Sequence, residues 1–119
     1  MLEENKCNVE VFKQLVKSYP KVLVIVKSPD CPYCGYYEDV VAEAEETIGH
    51  KVATMDIELP KKTENQEVLD DDCARLIGDE LKVTAVPTAI YFKDGVETKR
   101  ITPTLNREAD LEALKRVDE

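Results

Sequence analysis

The run Val22-Leu23-Val24-Ile25-Val26, followed closely by Cys31-Pro32-Tyr33-Cys34, constrains this chain more than anything else in it. An unbroken β-branched and aliphatic run suits a strand covered on both faces. Beyond the cysteines, Tyr37, Val40, Val41, Ala44 and Ile48 fall at helical spacing, and Gly49 is a natural stop. The cysteine pair is therefore predicted at a strand-to-helix junction, with Pro32 at the first helical position, where no N–H is needed. A sulfur there meets unpaired backbone N–H groups and the positive end of the helix dipole, which favour thiolate over thiol. A second thiol one turn on can capture the mixed disulfide made by the first. The pattern implies thiol–disulfide exchange.

The flanking segments build around that junction. Asn8 can cap a first helix with Val9, Phe12, Leu15 and Val16 on one face, ending near Ser18 because Pro20 disfavours helix before it. The first strand spans Lys21 to Lys27. A second, about Lys51 to Glu58, alternates with Ala53, Met55 and Ile57 on one side. Pro60 to Asn65 reads as an exposed loop. A helix is expected from Gln66 to Leu81, with Val68, Leu69, Cys73, Leu76 and Ile77 inward. Val86-Pro87 precedes a third strand, Thr88 to Lys93. Asp94-Gly95 signals a hairpin into a strand from Val96 to about Thr102, which Pro103 ends. Asn106 can cap a last helix carrying Leu111, Leu114 and Val117. The order α-β-α-β-α-β-β-α, without repeats or linkers, implies one α/β domain over residues 1–119.

Composition narrows the partners. Twenty-five acidic against 16 basic side chains leave a net charge of −9, which disfavours nucleic acid and anionic membrane. No apolar stretch is long enough to cross a bilayer, and Met1 to Asn8 carries Glu3, Glu4 and Lys6 where an export signal would be apolar. Four cysteines without such a signal point to a reducing, cytoplasmic setting. There Cys-x-x-Cys is catalytic or metal-binding. A closed zinc site needs four ligands, and neither a second Cys-x-x-Cys nor a Cys/His pair exists. The single histidine, His50, follows Gly49 in what reads as an exposed turn. Cys73 falls on an apolar stripe and Cys7 at the chain's edge, both expected unpaired. Asp70-Asp71-Asp72 point to different sides of a helix and suit a solvated face better than a cation site. Tyr37 reads as core, Tyr36 as a border of the site, and Tyr33 as exposed between the cysteines.

Together, Cys31-Pro32-Tyr33-Cys34 after a core strand, Val86-Pro87-Thr88, and the Phe92-Lys93-Asp94-Gly95 hairpin resemble the thioredoxin superfamily from about Val9 to Val117. The resemblance implies a mixed sheet of about four strands flanked by helices. It also implies a cis Val86–Pro87 bond against the cysteine pair. Pro32, Tyr33, Val86 and Pro87 would contact an extended substrate. Cys31 would attack and Cys34 resolve, with no bound cofactor beyond the dithiol itself. The partners implied are disulfide-containing proteins and a thioredoxin reductase-like or glutathione electron donor, with the chain acting as a monomer.

Within the superfamily the motifs divide. Cys-Pro-Tyr-Cys looks like dithiol glutaredoxins, yet the Gly-Gly segment that those proteins use to hold glutathione is replaced by Thr88-Ala89-Ile90-Tyr91-Phe92. Lys27 stands four residues before Cys31 instead of the three usual for a glutathione-binding lysine. Ile25 occupies the position of a buried aspartate that moves protons in thioredoxins, and the segment from Glu58 to Pro87 is longer than the family norm. The leading expectation is a reductant of protein disulfides. A glutathione-coupled enzyme, and a non-catalytic interaction module docking through Pro60–Leu81, are the alternatives.

Overall fold

A computed structural model describes residues 9–27, 31–58, 79–83 and 85–118. Helix α1 (Val9–Ser18) leads into β1 (Lys21–Lys27). Helix α2 (Cys34–Ile48) and strand β2 (Ala53–Glu58) follow, then the hairpin β3 (Thr88–Lys93) and β4 (Val96–Ile101), and last α3 (Arg107–Lys115). The helix expected over Gln66 to Leu81 falls largely outside the described residues, as do Cys7, Asn8 and Cys73.

The sheet order is β2-β1-β3-β4, with β1 parallel to β2 and antiparallel to β3. Centring β1 explains its composition, because a strand with neighbours on both edges and layers on both faces has no polar side. Its alternate residues serve different layers. Val22, Val24 and Val26 join Phe12, Val16, Met55 and Ile57 under α1. Leu23 and Ile25 join Tyr37, Val40, Val41 and Leu114 under α2 and α3. Across the first layer the rings of Phe12 and Phe92 meet edge to face at 5.6 Å.

The hairpin turn has positive φ at both Asp94 (54°) and Gly95 (84°), the type I′ geometry that an Asp-Gly pair predicts. Strand β4 is solvent-facing along nearly all its length, and Glu97, Lys99 and Arg100 give this edge the charges that discourage pairing with another chain. Val117 lies two residues past the end of α3, not inside it, but is still buried. No helix among the described residues is long and apolar enough to cross a membrane.

Two polar features of the α2 layer lead to predictions. The Tyr37 ring is fully buried and its hydroxyl has no hydrogen-bond partner among the described residues. Tyr37→Phe removes that unmatched group at nearly constant shape. The expected outcome is a fold as stable as the parent or more stable by about 1 kcal/mol, read from urea midpoints. The second feature is a pair of low-pKa carboxyls. Asp118 lies below its ordinary value because Lys21 and then Tyr91 hydrogen-bond to it. Burial pushes Asp110 up, but bonds from Tyr36, Thr104 and Leu105 outweigh this and leave it low. Both are more acidic folded than unfolded, so their contribution is complete above the unfolded pKa of about 4 and is lost as pH falls through the folded value. Urea midpoints should drop less between pH 5 and pH 2.5 in Asp110→Asn than in the parent.

Candidate active site

The end of β1 and the start of α2 bring the two cysteines together. Cys31 and Cys34 are joined by a disulfide with their Cα atoms 5.4 Å apart. The helix starts later than the sequence suggests: Cys34 is its first residue, so Pro32 is not the first helical position. Tyr33 is the N-cap, offers no side-chain cap, and accepts the first helical bond at its carbonyl from Tyr37 N–H (3.0 Å). Cys34 N–H reaches back to the Cys31 carbonyl at 3.4 Å. Residues 31–34 thus form one tight turn ahead of the helix. Proline suits the second place of such a turn as well as it suits a helix start.

The two sulfurs stand in different surroundings. Cys31 is half-buried, whereas Cys34 is 6% exposed. Pro32 and Tyr33 between them face solvent.

A groove of about 220 Å³ opens beside the turn. Tyr33 forms one wall, and Val86 and Pro87, joined by a cis peptide bond, lie along another with Ala85. The remaining wall is Thr102, Pro103 and Leu105 from the connection between β4 and α3. Three of the four expected contact residues therefore meet, while Pro32 stays outside the groove lining. The β4–α3 wall escaped the sequence reading. Its only trace is that Pro103 and the Asn106 cap bracket a very short connection. Asn106 does cap, accepting Ala109 N–H at 3.1 Å.

Lys27 points between α2 and β2. Its ammonium lies 2.9 Å from Glu38 and 3.2 Å from Asp56, and its side chain is 13% exposed. Burial pulls its pKa down, but the bonds to Glu38 and Asp56 prevail and hold it above the ordinary lysine range. Asp56 is almost fully buried and sits opposite Ile25 in the β1–β2 register. A buried carboxylate thus stands on the strand beside Ile25, paired with the Lys27 ammonium.

His50 is exposed, and no cluster of metal-ligating side chains occurs among the described residues. Tyr37 is core, as its spacing indicates. Tyr36 is partly buried and donates to Asp110 at 2.6 Å.

A family model described as "Thioredoxin-like domain" matches residues 10–117. Among solved structures, oxidised thioredoxin from Plasmodium falciparum superposes with a TM-score of 0.72 at 13% identity, covering 100% of both chains. Mitochondrial thioredoxin 3 from Saccharomyces cerevisiae, in its oxidized form, gives 0.70 at 20% identity over 94% of this chain and 92% of its own. One domain-sized part of a larger protein, zinc-bound human ERp44, also aligns, with a TM-score of 0.67 at 13% identity over 98% of this chain and 32% of that one. No curated protein matches. These likenesses establish the fold. With a disulfide at the cysteine turn, the fold suggests a thiol–disulfide oxidoreductase.

Proposed function

Since the chain belongs to the thioredoxin-like domain family, we propose that it reduces protein disulfides through a Cys31/Cys34 dithiol. The observation that supports this most is the contrast between a half-buried Cys31 and a nearly fully buried Cys34, in a turn whose Tyr33 lines a groove with Val86 and Pro87. In the reduced protein, Cys31 thiolate attacks one sulfur of a partner's disulfide. The partner's bond breaks, its other sulfur leaves as a thiol, and a Cys31–partner bond forms. Cys34 thiolate then attacks Cys31 sulfur, closing the intramolecular disulfide and releasing the second thiol. Two electrons and two protons pass to the partner, and a separate donor must return them.

Two features favour a thioredoxin reductase-like donor over glutathione. Thr88 continues directly from Pro87 into β3, where glutaredoxins carry a glycine-rich grip. Lys27 is committed to Glu38 and Asp56 rather than open to a carboxylate ligand. The protein would then act as a monomeric cytoplasmic electron carrier in redox homeostasis, with neither nucleic acid nor membrane as partner. Insulin reduction tests this: turnover with thioredoxin reductase and NADPH is the expected result. Turnover only with glutathione and its reductase would assign the glutaredoxin-like role, and none with either would leave an interaction module.

Pro32-Tyr33 between the cysteines suggests a potential above the roughly −270 mV of thioredoxin. Equilibration with glutathione buffers should give that sign. A value at or below thioredoxin's would reject it.

A further inference from the structure

Asp110 is 1% exposed, yet among the described residues its carboxylate makes no ion pair; it receives four hydrogen bonds from neutral donors. Tyr36 Oη donates to Oδ2 at 2.6 Å from the first turns of α2. Thr104 donates to Oδ1 twice, through N–H at 2.8 Å and Oγ1–H at 2.7 Å. Leu105 N–H donates to Oδ2 at 3.2 Å. One buried carboxylate therefore ties the helix that carries Cys34 to the loop that forms the far wall of the groove.

Leu105 has φ +69°, in the left-handed region, and its side chain is half exposed at the groove. That backbone is unfavourable for a residue with a Cβ. It persists where surrounding bonds over-determine it, and here the bonds come from Asp110. Without them, Leu105 would relax to negative φ and swing its side chain off the groove. A leucine held in an unfavoured conformation, half in water, gains little for the free protein. Its gain comes when an apolar side chain lies against it.

We propose that Asp110 and Tyr36 are positioning residues that hold Leu105 as the apolar wall against which a partner segment lays a hydrophobic side chain next to its disulfide. This rests on the protein-disulfide reading above and adds what that reading lacks: a preference for an apolar residue beside the partner's cysteine. Leu105, Pro103 and Tyr33 all line the one groove of about 220 Å³.

The test compares two short disulfide-linked peptides that differ at one site beside the cysteine, Leu against Asp. Turnover of either by the parent protein establishes the protein-disulfide reading on its own. The parent should show a KM about 10-fold lower for the Leu peptide. Leu105→Gly, which accepts the positive φ but lacks the wall, should lose that preference. Tyr36→Phe and Asp110→Ala should raise KM for the Leu peptide several-fold with kcat for it kept. Asp110→Asn, which retains an acceptor, should fall between. A merely structural role would lower kcat with the folded fraction and leave KM alone. Equal KM for both peptides in the parent, or an unchanged preference in Leu105→Gly, would overturn the proposal even if insulin reduction succeeds. Should Asp110→Ala not fold, Leu105→Gly and Tyr36→Phe still decide.

Discussion

Cys34→Ser should stop turnover while leaving the first attack intact. Cys31 can still open a partner's disulfide, but no second sulfur remains to release the mixed disulfide. Insulin reduction is expected to fall by at least about 10³-fold, the scale of losing a covalent-catalysis group. The protein should accumulate as a covalent adduct with its partner, visible as added mass that dithiothreitol removes. Cys31→Ser should be as inactive but form no adduct, because the 6% exposure of Cys34 bars a partner's disulfide. The reverse pattern, with adducts on Cys31→Ser and none on Cys34→Ser, would exchange the two roles. The physical basis is access joined to the dipole: both cysteines lie at the tip of α2, and Cys31 is the more exposed of the two.

The second large effect concerns Lys27. Removing its ammonium takes away the cation that bonds Asp56, whose side chain is 5% exposed, and the more exposed Glu38. Breaking a buried pair by deleting one partner typically costs 3–5 kcal/mol, because the other charge stays buried with fewer bonds to offset its desolvation. Lys27→Met keeps the aliphatic stem and should lower stability by about 3 kcal/mol at pH 7. Lys27→Met combined with Asp56→Leu should recover much of it, since a buried ion pair exchanged for apolar groups is often neutral. Urea unfolding of the single and double variants reads both results. A loss under about 0.5 kcal/mol for Lys27→Met would mean that the pair is well hydrated.

These two predictions differ in how far the sequence reaches them. The cysteine turn, β1 and β3 are legible because their signals are local: a continuous apolar run, a fixed cysteine spacing and a proline. The face of α2 follows from its period, and Tyr37, Val40, Val41 and Ala44 are buried as the spacing indicates. The start of α2 is legible only to within two residues, because Pro32 suits a turn and a helix start equally. The pairings escaped altogether. Lys27 meets Asp56 across 29 positions and Tyr36 meets Asp110 across 74, and no periodicity in one element reports on a side chain in another. Leu105 at positive φ runs against the intrinsic preference of leucine, so only the surrounding bonds reveal it.

The division of β1 between two layers bears on how this protein can vary. Val22, Val24 and Val26 belong to the layer under α1, away from the helix that carries the sulfurs. Leu23 and Ile25 belong to the layer that seats α2. Truncating Val24 should weaken the scaffold while leaving electron transfer by the surviving folded molecules unaltered. Truncating Ile25 should disturb both at once. Neighbouring positions on one strand thus carry separable burdens, so durability and reactivity are free to drift independently.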